Sequence, residues 1–125
     1  YAPNLSLGIN VLMNLVLKAA TILADWDVEI IETHHRHKKD APSGTALKIA
    51  NELRNYLDLP EKGIAFGHDR TSPRQDGVIG VHAIRGGGVT GIEALKVGRR
   101  AVHSSNAVLH LRDGRLPVPV LQVPH

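Results

Sequence analysis

The sequence predicts an α+β fold in which a mixed β-sheet is flanked by helices. Two segments carry apolar residues at the three- and four-residue spacing of a buried helix face, and two short segments rich in β-branched residues are typical of strands. They follow one another in the order helix, strand, helix, strand. Because the chain has 125 residues, we expect a single modest core.

The first half of this pattern is a long amphipathic helix followed by a strand. Ser6 is a suitable N-cap for the helix, and the strand covers residues 27–34 and delivers His34 to a sheet edge. The apolar residues that define the buried stripe of the helix are Ile9, Leu12, Val16, Ala19 and Leu23.

The second half repeats this order over a longer stretch of chain. A helix is predicted from about Ser43 to Leu57, ending shortly before Pro60, because helices commonly stop just ahead of a proline. Residues 60–77 are rich in Gly, Pro, Asp and Arg and predict a long loop. A strand follows at residues 78–85, and a weaker β pattern covers 91–97.

Composition limits the partners that we expect. The formal net charge is +3 with neutral histidines, which favours an anionic partner. Nucleic acid is not expected, because the four aromatic residues do not interleave with the basic ones. Neither a membrane-spanning run nor a signal peptide is recognised, and there is no cysteine, so we expect no membrane partner and a cytoplasmic protein.

Residues 32–46 combine three histidines and three cationic side chains with the start of the second helix. Ser43, Gly44 and Thr45 lie at that start, where free backbone N–H groups and the helix dipole favour a carboxylate or a phosphate. His34 or Lys38 can donate a proton to an atom that gains electron density. The segment therefore indicates acid-assisted chemistry on an anionic substrate.

Other interpretations of this segment remain open. It can be a solvated basic loop closed by an ordinary helix cap. His34, His35 and His37 could bind a metal, but adjacent strand residues point in opposite directions and no Cys or carboxylate completes a ligand set, so we predict no metal. The glycine pattern of a phosphate-binding loop is missing. A basic nucleic-acid-binding module fits the charge but has no recognisable motif.

Residues 32–46, ETHHRHKKDAPSGTA, are similar nearly residue for residue to the signature of dihydrodipicolinate reductases. Residues 2–10 resemble the segment where that family's chain enters its substrate domain, and residues 78–88 resemble a later strand of the same domain. This resemblance covers about residues 2–91. It implies the fold of that family's C-terminal, substrate-binding and catalytic domain.

The resemblance also implies a reaction and its residues. The family reduces the cyclic imine derived from hydroxy-tetrahydrodipicolinate in lysine and diaminopimelate biosynthesis. His34 matches the family's proton donor or acceptor and Lys38 its second proton donor. His35 matches a substrate contact, and Gly44 and Thr45 match the residues that bind a carboxylate of the dicarboxylate substrate.

Cofactor and partners are implied in the same way. The hydride comes from NADPH or NADH, and Ala2, Pro3, Asn4 and Leu5 match the hinge segment that touches the nicotinamide end. The family forms a homotetramer through this domain. The role of Arg85 is left open by the resemblance.

The sequence departs from the family pattern in two respects. No G-x-G-x-x-G turn of a Rossmann domain is present, so the nucleotide is expected to bind mainly to a domain absent from these residues. The resemblance also ends near residue 91. We therefore predict a partial substrate-binding and catalytic domain at 1–91 and a divergent or disrupted tail at 92–125. The alternative is a non-catalytic remnant that binds dicarboxylates or oligomerises.

Overall fold

The structure is a computed structural model that describes residues 7–23, 26–69, 71–88, 90–99 and 106–112. It contains two helices and five strands in these residues. In chain order they are α1 (Leu7–Ile22), β1 (Trp26–His34), α2 (Gly44–Tyr56), β2 (Ile64–Phe66), β3 (Ile79–Arg85), β4 (Ile92–Arg99) and β5 (Asn106–Arg112).

The five strands form one mixed sheet in the order β2-β3-β1-β4-β5. β1 pairs in parallel with β3, and β3 pairs in parallel with β2. β4 runs antiparallel to both β1 and β5. β1 is thus a central strand, and His34 lies at its carboxyl-terminal end. The predicted α+β class with a mixed sheet is confirmed.

One face of the sheet packs against the two helices. Strand alternation directs Val28 and Ile30 of β1 to this face, beside Val81 of β3 and Leu95 of β4. β3 also contributes Ile79, and the helices contribute the remaining buried residues of the core, which are Leu12, Val16, Ala20, Ala46, Ile49, Ala50 and Leu53. Neither helix is long and apolar enough to cross a bilayer, judged over the described part of the chain.

The opposite face of the sheet carries a polar cluster. Arg74, in the connection between β2 and β3, donates from Nε to Oε1 of Glu29 at 2.6 Å and from Nη1 to Asp27 at 3.1 Å. Nε2 of His82 lies 2.6 Å from Oε2 of Glu29. A Cβ atom at Gly80 would lie 1.8 Å from the same carboxylate. The cluster therefore fixes the connection onto the sheet and requires glycine at position 80.

Several predicted elements are confirmed, with small shifts at their ends. The helix predicted from about Ser43 to Leu57 is α2 with Ser43 as its N-cap, and the predicted strand 78–85 is β3. The loop predicted at 60–77 was wrong in part, because residues 64–66 form β2. The predicted N-cap Ser6 lies outside the described residues.

The sheet continues beyond residue 91. β4 pairs with β1 along eight residue pairs, from Trp26 and Arg99 to Thr33 and Ile92, and β5 then pairs with β4. The predicted division at residue 91 therefore falls between two strands of one sheet. Residues 92–99 and 106–112 belong to the same sheet as the strands that precede them.

Candidate active site

The candidate site forms where β1 ends and α2 begins. Alternation along β1 directs Glu32 and His34 to the helix-covered face, in line with the core residue Ile30. Glu32 is fully buried, with 0% of its surface exposed, and the side chain of His34 is 12% exposed. A charged group thus occupies the last core position of the strand, and the imidazole lies at the rim.

Glu32 accepts hydrogen bonds from three parts of the fold. Arg85 of β3 donates through both terminal nitrogens, Nη1 to Oε2 at 2.8 Å and Nη2 to Oε1 at 2.7 Å. Nδ1 of His34 lies 2.6 Å from Oε2. The backbone N–H of Ser43 donates to Oε1 at 3.0 Å. One carboxylate therefore joins the end of β1, the end of β3 and the start of α2.

These contacts set the protonation of Glu32. Burial alone raises the pKa of this carboxyl group, but the hydrogen bonds from Arg85, His34 and the Ser43 amide outweigh it and hold the pKa below its ordinary value. Glu32 is therefore ionised and can only accept. It follows that Nδ1 of His34 carries a hydrogen, and that Nε2 is the nitrogen left for a ligand.

The connection between β1 and α2 is fastened at several points. Nη2 of Arg85 donates to the backbone oxygen of Asp40 at 2.6 Å, and Nζ of Lys38 lies 2.8 Å from Oδ1 of Asp40. The Gly86 N–H donates to the carbonyl of His34 at 3.2 Å. Arg85, whose role the sequence left open, thus supports both Glu32 and the loop that carries Lys38.

The start of α2 is open to a ligand. Oγ of Ser43 accepts from the N–H of Ala46 at 3.1 Å, which is the ordinary N-cap bond. A Cβ atom placed on Gly44 would meet no atom within 4 Å, so space remains in front of the first helical residue. Gly44 is exposed and Thr45 is half-buried. This is the geometry expected of a carboxylate-binding helix start.

A second carboxyl group, Glu93 of β4, lies on the other side of His34. Glu93 pairs directly with Glu32 across the two strands, and its Oε1 is 3.7 Å from Nε2 of His34. Burial raises the pKa of Glu93; the charge of His34 opposes this rise and that of Glu32 adds to it. Two neighbouring carboxyl groups thus have pKa values displaced in opposite directions.

The three histidines of the segment are not gathered around one point. His34 is held by Glu32, whereas the rings of His35 and His37 lie 6.3 Å apart with the His37 N–H donating to Nδ1 of His35. Within the described ranges no group of three or more His, Asp or Glu side chains is placed to hold a metal ion.

The predicted site residues are therefore only partly joined by described contacts. His34 is tied to the start of α2 through Glu32, and Lys38 and His35 lie in the connection between them. The predicted cofactor residues Ala2, Pro3, Asn4 and Leu5 lie outside the described residues. Glu32 and Glu93 were not predicted as site residues, although the alternation Ile30, Glu32, His34 along β1 placed Glu32 on the same face as the proposed acid.

The fold is that of a small α+β domain, and comparison with known proteins identifies its family. The family model described as dihydrodipicolinate reductase, C-terminus, matches residues 8–108. The chain therefore belongs to the dihydrodipicolinate reductase C-terminal family. The match extends past residue 91; that the tail is divergent or disrupted stays a prediction.

Individual relatives agree with this assignment. The 4-hydroxy-tetrahydrodipicolinate reductase of Caldanaerobacter subterraneus is 48% identical over 90 residues, which cover 72% of this chain and 36% of that protein. The Aquifex aeolicus reductase is 50% identical over 92 residues, or 72% of this chain and 34% of that protein. The chain thus spans about a third of the length of these relatives.

A solved structure of a dipicolinate-bound dihydrodipicolinate reductase from a Paenisporosarcina species superposes with a TM-score of 0.66 at 29% sequence identity. The superposition covers 90% of this chain and 42% of that one.

Proposed function

We propose that this chain is the substrate-binding half of a reductase that converts the cyclic imine of hydroxy-tetrahydrodipicolinate to tetrahydrodipicolinate in lysine and diaminopimelate biosynthesis. The observation that carries the proposal is the link through Glu32. It places a histidine whose Nδ1 holds Glu32 and whose Nε2 lies 3.7 Å from Glu93, beyond hydrogen-bond distance, on one structural unit with a helix start that has open amides. The family membership and the dipicolinate bound to the Paenisporosarcina relative support the same conclusion.

The start of α2 binds one carboxylate of the substrate. The amides around Gly44 and the hydroxyl of Thr45 receive it, and the positive end of the helix dipole adds to the attraction. His35 is a further contact to the substrate.

His34 acts as the general acid. The nicotinamide of NADPH or NADH supplies the hydride, which adds to the imine carbon. The imine nitrogen then gains electron density, and Nε2 of His34 gives it a proton while Nδ1 stays bonded to Glu32. Lys38 is the second proton donor.

Ala2, Pro3, Asn4 and Leu5 are proposed to contact the nicotinamide end of the cofactor. Most of the cofactor's binding energy is assigned to a nucleotide-binding domain of the family. We further propose the homotetramer and the cytoplasmic location of the family for the whole protein.

Isothermal titration with pyridine-2,6-dicarboxylate tests the substrate site without the cofactor. The chain should bind this planar dicarboxylate with one site per chain, and pyridine-2-carboxylate, which has a single carboxylate, should bind more weakly. Equal affinity for the two compounds, or binding of neither, would contradict the proposed site.

A further inference from the structure

We infer that Glu32 is a positioning residue of this site, because it determines which ring nitrogen of His34 exchanges the proton. The same carboxylate also anchors the start of α2. The inference rests on the proposed function of His34. It concerns a residue that neither the sequence pattern nor the family assignment singled out.

The directions of the hydrogen bonds to Glu32 determine where His34 carries its hydrogen. Oε1 of Glu32 receives the Ser43 N–H and Nη2 of Arg85, and Oε2 receives Nη1 of Arg85 and Nδ1 of His34. The amide and the guanidinium can only donate. Among these partners only the imidazole can exchange donor for acceptor, so Glu32 determines that Nδ1 carries a hydrogen. The other nitrogen, Nε2, faces Glu93, whose Oε1 is 3.7 Å away.

Distance and burial also restrict which ring nitrogen of His34 a ligand can reach. Glu32 is fully buried, and its Oε2 is only 2.6 Å from Nδ1. A ligand therefore has no room at Nδ1 and meets Nε2 instead. Because the same carboxylate holds the Ser43 amide, the proton-donating nitrogen and the carboxylate-binding helix start are held at a fixed separation.

The substitution Glu32→Gln makes this role visible. The amide nitrogen of Gln cannot take the place of Oε1, where it would face two donors from Ser43 and Arg85. At the position of Oε2 it faces one fixed donor, Nη1 of Arg85, and His34, which can adapt by moving its hydrogen to Nε2 and accepting at Nδ1. The amide nitrogen therefore takes the place of Oε2. The hydrogen of neutral His34 is then on Nε2 instead of Nδ1. Nε2 therefore cannot accept a proton.

The test is nitrogen-15 NMR of the histidine side chains in the full chain, with the His34 signal assigned by its loss in His34→Gln. At alkaline pH the parent should show a protonated Nδ1 and a bare Nε2, and Glu32→Gln should reverse them. Glu32→Asp keeps a carboxylate and should keep the parental tautomer. The parental measurement stands even where a variant does not fold: a bare Nδ1 in the parent would overturn the inference.

A matched control separates positioning from stability. Glu29 of the same strand also pairs with one arginine and one histidine, Arg74 and His82, but on the opposite face of the sheet. Glu29→Gln should lower stability and leave the His34 tautomer unchanged. A change of tautomer in this control as large as that in Glu32→Gln would show that the effect is general loosening, and would refute the specific role of Glu32.

Kinetics give the second readout, in the chain joined to the nucleotide-binding domain of a full-length relative. Glu32→Gln should lower kcat per dicarboxylate-binding site by about 10²–10⁴-fold with little change in KM. A loss that disappears once kcat is divided by the number of sites titrated with pyridine-2,6-dicarboxylate would mean that Glu32 only stabilises the fold. If His34→Gln itself left kcat unchanged, the proposed function would fail, whereas the tautomer result would stand.

Discussion

Glu93 and Glu32 lie directly opposite each other on β4 and β1, on the same face of the sheet. Like charges in this arrangement repel. Glu32 accepts from four nitrogens of three residues and remains ionised. Burial raises the pKa of Glu93, and this rise is opposed by the charge of His34 and assisted by that of Glu32. The pair therefore carries one permanent charge and one group that titrates above its ordinary range.

Glu93→Gln should stabilise the fold in a pH-dependent manner. Because the pKa of Glu93 is raised on folding from its ordinary value of 4.5, the folded state binds the proton more tightly, and stability falls as the pH rises through the interval between the two pKa values. The substitution removes this loss. Thermal unfolding should show a higher Tm for the variant than for the parent at about pH 8. No gain is expected at about pH 4, where Glu93 is largely protonated in both the folded and the unfolded chain.

Glu52→Gln is the control for this prediction, because it removes an exposed carboxyl group of α2. A gain in Tm at alkaline pH that is the same for both variants would assign the effect to net charge rather than to the position of Glu93.

Gly44→Val should abolish binding of pyridine-2,6-dicarboxylate and leave the fold intact. A Cβ atom at Gly44 meets nothing within 4 Å, so the larger side chain causes no clash in the free protein but fills the space in front of the helix amides. Gly44→Ala should weaken binding by a smaller factor. Titration calorimetry and Tm together check this, and unchanged affinity in Gly44→Val would rule out the helix start as the carboxylate site.

Gly80→Ala should destabilise the sheet by about 1–3 kcal/mol, the usual cost of overpacking. Its Cβ atom would displace the Glu29 carboxylate, which Arg74 and His82 hold in place. Denaturant unfolding measures the loss. The penalty should largely vanish in a Glu29→Ala background, and Gly86→Ala, whose Cβ atom meets nothing within 4 Å, is the control. If Gly80→Ala cost as much stability in the Glu29→Ala background as in the parent, the loss would not come from the Glu29 carboxylate.

The 125-residue chain should bind NADPH and NADH feebly and reduce nothing by itself. Its only run of adjacent glycines, at 86–88, follows β3 but leads to β4 rather than to a helix, so it does not form a pyrophosphate-binding turn. Fluorescence enhancement of the reduced nucleotide measures the affinity. Micromolar binding by this chain would show that the cofactor site has been misassigned.

Local signals account for what the sequence predicted. α2 was recognised because an N-cap serine precedes a helical repeat of apolar residues, and β1 because its residues are β-branched. β2 was not recognised, because a three-residue strand depends on pairing with β3 rather than on its own sequence. Residues beyond 91 carry few local signals, and their strands form by antiparallel pairing, β4 with β1 and β5 with β4.

The site shows the same contrast. His34, Lys38 and Gly44 stood out because unusual residue types are clustered in one short segment. The role of Glu32 depends on Arg85, which lies 53 residues away in the sequence, and that of Glu93 depends on the register between β4 and β1. Such contacts exist only in the folded sheet, so composition and periodicity do not reveal them.

The most direct test of the central claim is the substrate-dependent loss of NADPH absorbance by the chain joined to the nucleotide-binding domain of a full-length relative. The parent fusion should turn over hydroxy-tetrahydrodipicolinate, and His34→Gln or Lys38→Ala should lower kcat by about 10²–10⁴-fold. Lys48→Ala, which changes a half-buried cation of α2 away from its start, should retain near-parental kcat. Near-parental turnover in both His34→Gln and Lys38→Ala would contradict the assignment of proton transfer to these residues.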